Sequence, residues 1–489
     1  MYMKKESHLC TYSAIRKIYI FIYILLVMQR ALGPFKAITP FKVDALIFFG
    51  ATALGVALIF YDLFCDKVMF KMPNVSWLCL FIISVFISSV LSIQYGLLDN
   101  INSIILLSIE FFVFYAIDFN MSKDDVYREI YQVEHLIMTV WFISMLFTLW
   151  MFLKQSYYYI DLPENQFVRM GVIENRLFGI YNDPNYASVT SLIMMIFSVK
   201  NFKRDTSKFL KVFYIINIIF MFIYIILSGS RTAEVALGAA VLLWAFFIFK
   251  YIFKNMCNAK KFLLSFLCAV LTLICIFFIY SLVKKGIAYL PSLFSDHSTS
   301  NAIRPVSFSR SDVEENDDIS NLRFKIWGSA LELFKEKPLF GVSVKHIVSY
   351  AKDNFPEGII ATKGYTGHSF YVNVIACTGI VGSVLIFGFI IKSIIAVLKA
   401  IFTVTDKEQY FNILYSCLPL VVLMCSGFFL NEIIFVNTLG AIIFWLYLGY
   451  TMYFVNGEKQ YTEVSIPYKI ADKLTSSIKS IFCKTKKGN

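Results

Sequence analysis

The sequence predicts an all-α fold: a polytopic membrane protein of about twelve transmembrane helices, with one long extracytoplasmic loop carrying an amphipathic helix. Three observations point there. Of 489 residues, 58% are hydrophobic and only 16% charged, against roughly 25% charged in a soluble domain. The mean hydropathy is +0.67. The apolar residues are gathered into runs, and the interval 284–367 is the longest break between them.

A span needs about 20 apolar residues to cross roughly 30 Å of hydrocarbon. Runs that meet or approach this length lie at about 14–32, 43–62, 75–95, 101–118, 136–154, 184–199, 211–228, 232–251, 262–283, 368–391, 411–430 and 433–455. The sixth is short and the last two nearly touch, so eleven or thirteen spans also fit. The N-terminus, MYMKKESHLC, is basic and leads into the first run without a small-residue cleavage site, which reads as an uncleaved first span.

Orientation follows from Lys and Arg in short loops, which are concentrated on the cytoplasmic side. Lys200, Lys203, Arg204, Lys208 and Lys211 mark the 200–211 loop, and Lys250, Lys254, Lys260 and Lys261 mark the 250–261 loop. Both are expected inside, together with the N-terminus and the basic tail. The segments 155–183, 229–231 and 284–367 are then expected outside. Four regions follow: an N-terminal bundle (1–171), a core with the long loop (172–395), the last transmembrane helices (396–456) and a cytoplasmic tail (457–489).

The formal charge of +12 lies mainly in these short loops and the tail, where it orients a membrane protein rather than forming a nucleic-acid surface. None of the ten Cys lies in 284–367, so no disulfide framework and no Cys-based metal site is indicated.

The expected outer segments are poor in Lys but hold Arg169, Arg176, Arg231, Arg304, Arg310 and Arg323 near span edges. Arginine offers a planar fork of donors that matches phosphate oxygens in pairs; any one of these residues could instead only snorkel to lipid headgroups. From Leu322 to Phe334, apolar Leu322, Ile326, Ala330, Leu333 and Phe334 recur at helical spacing, predicting a helix on the membrane surface or over a cavity, ended by Pro338 and Gly341. Arg323 flanks its apolar side.

His368 follows Thr366-Gly367 at the first turn of the tenth run, with Ser369, Tyr371 and Asn373 beside it. The positive end of a helix dipole and nearby arginines both favour neutral imidazole, which can accept a proton from a hydroxyl. The structural alternative is an interfacial His bonded to a loop carbonyl. Tyr371 is read as a substrate contact.

Ser228-Gly229-Ser230-Arg231-Thr232 predicts a tight turn whose amides form an anion site beside Arg231, with Glu234 able to pair with that guanidinium. Asn175-Arg176 through Asn182-Asp183-Pro184-Asn185 predicts a turn-rich approach to the sixth run, capped by Asp183 or Asn185. The acidic run 311–318 could hold a hard cation, but reads more simply as a solvated loop. Glu110, inside the fourth run, is a functional candidate or a protonated partner in an interhelical hydrogen bond.

In order, RLFGIYNDPN, SGSRT, RFKIWGSALELFKEKPLFGV and GHSFYVNVIACTGIVG resemble the O-antigen ligase and O-antigen polymerase superfamily over about residues 172–390. That resemblance implies a membrane glycosyltransferase taking glycan from an undecaprenyl-diphosphate donor to a glycan or lipid acceptor. It implies no nucleotide sugar, no metal and no other cofactor. A flippase and a chain-length regulator are candidate partners, and the site faces outward from the inner membrane. By motif, the functional residues are Arg176, Arg231, Arg323 and His368. This chain departs from the superfamily in having Ser343 where a second Gly often follows the PLFG turn, and Ser369 where an Asn often follows the His.

Polymerisation of repeat units is the expected reaction, with ligase-type transfer of finished glycan next. A transporter or flippase is the alternative from another class; its usual marks are internal repeats and polar midplane residues, whereas here the distinctive polar residues gather at one face.

Overall fold

Away from water every backbone N–H and C=O must find a partner within the protein, so the apolar runs fold as helices. The computed structural model describes residues 2–162, 166–294, 306–308, 320, 322–456 and 465–485. The first helices are α1 (Tyr2–Ala31), short α2 (Gly33–Ile38), α3 (Phe41–Phe64), α4 (Val75–Leu91), α5 (Leu98–Ile109) and α6 (Lys123–Leu153). Next come α7 (Pro184–Arg204), α8 (Lys208–Ser228), α9 (Arg231–Ile252) and α10 (Asn258–Ile287). The loop contributes α11 (Arg323–Glu336), α12 (Ile347–Asn354) and α13 (Ile359–Lys363), followed by α14 (Phe370–Thr403), α15 (Lys407–Ser426), α16 (Leu439–Asn456) and α17 (Ile466–Thr485).

Among the described residues nine helices are long and apolar enough to cross a membrane, and α4 is a shorter apolar one. The chain is a multi-pass, predominantly helical membrane protein. The two remaining predicted runs also lie on helices. One is α5, continued by a π-helical turn at Glu110–Phe114. The other is α7, which is buried around most of its circumference and so carries polar residues toward protein rather than lipid. Trp141 Nε1, for example, donates to Ser191 Oγ at 3.0 Å, and Asn217 Nδ2 to Ser198 Oγ at 2.8 Å.

Four expectations change. The run expected over 433–455 becomes helical only at Leu439, leaving 427–438 as an irregular crossing between α15 and α16. The 155–183 segment folds as a three-stranded antiparallel sheet, β1 (Tyr157–Leu162), β2 (Gln166–Ile173) and β3 (Arg176–Gly179), in that order. Its aromatic and β-branched content, YYYIDL and QFVRMGVI, suits a pleated surface. The loop helix α11 turns its apolar face to protein: Ile326, Ala330 and Leu333 pack with Ile347, Tyr350 and Ile360 in a small core of their own. His368 lies before the Ser369 cap of α14 rather than in its first turn.

The fourth run's Glu110 is buried, and neither carboxylate oxygen makes a hydrogen bond among the described residues. Arg304, Arg310 and the acidic run 311–318 lie outside the described residues.

Candidate functional site

Two local devices assemble the site. The first ties β3 to the α8–α9 turn. Arg176 opens β3, is buried, and donates through Nε to the Ser228 carbonyl at 2.8 Å and through Nη2 to Asn185 Oδ1 at 2.8 Å. Asn185 stands in the first turn of α7, behind Pro184 at N1. Asp183 caps that helix, its Oδ1 accepting from the amides of Asn185 (2.7 Å) and Tyr186 (3.4 Å). Ser228 ends α8; Gly229 follows at φ +58°, and Ser230 caps α9 by accepting from Ala233 N at 3.3 Å. Arg231 is the first residue of α9 and its side chain is exposed. Glu234 accepts a hydrogen bond from Tyr280 at 2.6 Å.

The second device is a break in α14. At Gly379 the backbone leaves the helix (φ +63°, ψ −164°), freeing amides and carbonyls that need partners. The stretch after α11 supplies them. Pro338 and Leu339 carbonyls accept from the amides of Ile380 (2.8 Å) and Val381 (3.2 Å), while Val342 and Ser343 amides donate to the carbonyls of Ala376 (3.0 Å) and Cys377 (3.1 Å). The fit is backbone against backbone: a Cβ on Gly379 would stand 2.4 Å from the Leu339 carbonyl carbon, and one on Gly341 2.4 Å from that of Cys377. Ser343, where the resemblance implies Gly, sits at φ +74° and its Oγ accepts from Asn100 Nδ2 at 3.2 Å. This lock fixes α11, and with it Arg323, against the short first segment of α14 that follows His368.

His368 occupies a left-handed position, φ +45°. Its neighbours pin it: Gly367 N donates to Asn373 Oδ1 at 2.8 Å, Ser369 Oγ donates to the Gly427 carbonyl at 3.2 Å, and Phe370 N donates to the same carbonyl at 2.8 Å. The imidazole keeps an exposed face and meets the Tyr365 ring edge-on at 5.3 Å. Surrounding protein, and after it the Arg323 charge, push its pKa below the ordinary 6.5, with Asp183 opposing. The neutral imidazole is favoured, as the sequence suggested. The cause is burial and Arg323 rather than a place inside a helix.

Arg323, half-buried at the start of α11, lies over the Phe429 ring at 5.3 Å, and Trp327 one turn later stacks on the same ring. Arg323, Asp183 and Glu432 all lie within electrostatic reach of Tyr186 in the first turn of α7. Arg323, His368 and Asp183 therefore converge, and Arg176 joins them through Asn185. Arg231 stands three residues along the chain from the carbonyl that holds Arg176. Tyr371 is engaged elsewhere: its hydroxyl donates to the Met424 carbonyl at 3.1 Å, and it lines an apolar cavity of 430 Å³ with Phe428, Leu420 and Ile394.

Sequence reasoning treated Asp183 only as a cap and passed over Glu432. Glu432 is 1% exposed in the 427–438 crossing and accepts from Ser426 Oγ at 3.2 Å. The polar pair Asn431-Glu432 at the junction of two apolar runs was the available signal.

Residues 216–387 match the family model described as O-antigen ligase. The matched segment runs from α8 into α14 and contains Arg231, Arg323, His368 and the lock at Gly341 and Gly379. Over that stretch the chain is similar to the O-antigen ligase family, in agreement with the superfamily its motifs resemble. Arg176 and Glu432 fall outside that stretch. No curated protein matches the chain.

Proposed function

We propose that the protein polymerises undecaprenyl-diphosphate-linked oligosaccharide repeat units into a surface polysaccharide at the outer face of the cytoplasmic membrane. The observation that carries this reading is the meeting of Arg323, His368 and Asp183 at one end of the bundle, beside Arg176. The Lys- and Arg-rich loops 200–211 and 250–261 lie at the other helix ends, which supports an outward-facing site.

In this mechanism Arg323, Arg231 and Arg176 hold the donor diphosphate, which binds guanidinium forks in pairs. Neutral His368 accepts the proton of an acceptor hydroxyl as its oxygen attacks the anomeric carbon of the donor sugar. The new C–O bond forms as the bond to the diphosphate breaks. The proton stays on the imidazole and the electron pair leaves on undecaprenyl diphosphate, whose charge the arginines stabilise without need of a general acid. Lipid-linked donor, glycan acceptor and membrane lipid are the partners this requires. Transfer of finished glycan to a lipid or wall acceptor uses the same groups. Deletion separates the two: accumulation of single repeats marks a polymerase, accumulation of unattached polymer a ligase.

The break in α14 is a feature that carriers also use, but here the 338–343 stretch fills it. Purified protein given lipid-linked oligosaccharide without any membrane gradient is the decisive assay. Elongation supports the enzyme; a folded but inert protein refutes it.

A further inference from the structure

Beside Asp183 two cavities adjoin, sharing Arg30 and Asn182 in their walls. The smaller, 190 Å³, is about the liquid volume of six waters, room for one sugar ring. It is walled by Asp183, Glu432, Asn437, Tyr186, Trp141 and Tyr181. The larger, 590 Å³, falls in the size range of small-molecule clefts and opens between α1, α2, α3 and Leu162 of β1.

Their shared wall is rigid. Asn182 N donates to the Ala31 carbonyl (3.1 Å), Asn182 Nδ2 to the Arg30 carbonyl (2.6 Å) and Gly33 N to the Ile180 carbonyl (2.7 Å), stitching the end of α1 to the segment before α7. Their chemistry also differs from that of the arginine side. Arg30 grips Asp44 with Nε at 3.1 Å and Nη2 at 2.7 Å, so that cation is neutralised where the cavities meet. The small chamber presents acceptors: two carboxyl groups and Asn437, whose buried Oδ1 makes no hydrogen bond among the described residues. Carboxyl and amide groups of this kind suit the hydroxyls of a sugar. The stacked pair Trp141–Tyr181, 4.5 Å apart, gives the apolar floor that the C–H face of a sugar needs, and Phe35 and Phe41 stand exposed at the larger cavity's rim.

We propose that these two chambers bind the acceptor glycan: its non-reducing terminal sugar in the small chamber against Asp183, and the following sugars, uncharged or amino sugars, in the larger one. The assignment rests on the glycan-transfer reading above and adds the acceptor's place and class. Asp183 is the point of contact between the halves, since it closes the small chamber and its charge reaches His368. Every residue walling the two chambers lies outside 216–387. Arg231 and Arg323 of the matched segment, with Arg176 before it, then hold the donor, and the N-terminal helices and the 427–438 stretch choose the acceptor.

The test uses the full chain in detergent with repeat-unit oligosaccharide, released from the lipid-linked fraction of producing cells and carrying a diazirine on its non-reducing sugar. Photolabel in peptides covering 29–44, 182–190 or 432–440 is expected, as is a rise of about tenfold in acceptor KM, far beyond any fall in kcat, for the Phe35→Ala/Phe41→Ala double variant. Label confined to 390–428, or transfer with an unchanged acceptor KM, overturns the chamber assignment and leaves the transfer reading standing. Wild-type protein that elongates nothing overturns the transfer reading itself.

Discussion

The two ends of the helical bundle hold their arginines with different partners. Toward the 200–211 loop, Arg16 Nη1 meets Glu129 at 3.0 Å, Tyr450 donates to the same carboxylate, and Arg16 Nε and Nη2 donate to the Val113 and Phe114 carbonyls. Nearby, Glu134 accepts from Lys200, Asn201 and Tyr447. Charge there meets opposite charge, and helices α1, α6, α7 and α16 are bound together. At the site end, the groups fixing Arg176 Nε and Nη2 are a carbonyl and an amide oxygen, and Arg323 lies over an aromatic ring. Those contacts set the direction of the two guanidinium groups. At one end ionic groups bind helices to one another; at the other, a carbonyl, an amide oxygen and an aromatic ring position the arginines that the proposed mechanism uses.

Breaking the site end should therefore remove activity and spare the fold. The largest effect is expected from His368→Ala: a loss of about 10² to 10⁴ in elongation rate, read from chain length on gels, with unchanged insertion and melting temperature. The mirror experiment is Glu129→Ala. It leaves Arg16 buried beside no carboxylate and should lower stability by about 3–5 kcal/mol in detergent melts, while the surviving folded fraction elongates normally.

Arg323→Ala should reduce kcat by about 10² to 10³. Arg323→Lys should restore only a small part of that loss, because an ammonium lacks the planar fork. Full rescue by Lys would reduce Arg323 to a general positive charge. The smallest effect belongs to Ser343→Gly. Glycine relieves about 1 kcal/mol of left-handed strain at φ +74° but forfeits a hydrogen bond from Asn100 of similar worth, so stability should change by less than about 1 kcal/mol.

Much of this was legible in the sequence because it was local. Helices follow from apolar runs, α11 from a 3.6-residue repeat, and the Asp183 cap from Asp-Pro at a helix start. Arg176, Arg231, Arg323 and His368 stood out as rare polar groups at span edges. What stayed hidden depends on partners far apart in the chain. Nothing near Gly379 shows that Leu339 fills the break, and nothing near Glu432 shows that Asp183 faces it across more than two hundred residues. The small sheet was missed because 155–183 was read only for its side of the membrane and for the turns at 175–185, while YYYIDL and QFVRMGVI are short strand-like segments between spans. Tyr371, read as a substrate contact beside His368, has its hydroxyl bonded to the Met424 carbonyl, a partner 53 residues away that nothing near it in the sequence announces.

The central claim is that neutral His368, its basicity lowered by burial and by Arg323, takes the proton of the attacking hydroxyl. The most direct measurement is the pH dependence of elongation by purified wild-type and His368→Ala protein. For a base whose pKa lies below 6.5, wild-type activity should hold steady through pH 7 and fall only below 6.5, where the imidazole protonates. The variant should show a small residual rate without that acidic limb. A variant that keeps both the wild-type rate and the wild-type limb would contradict the account.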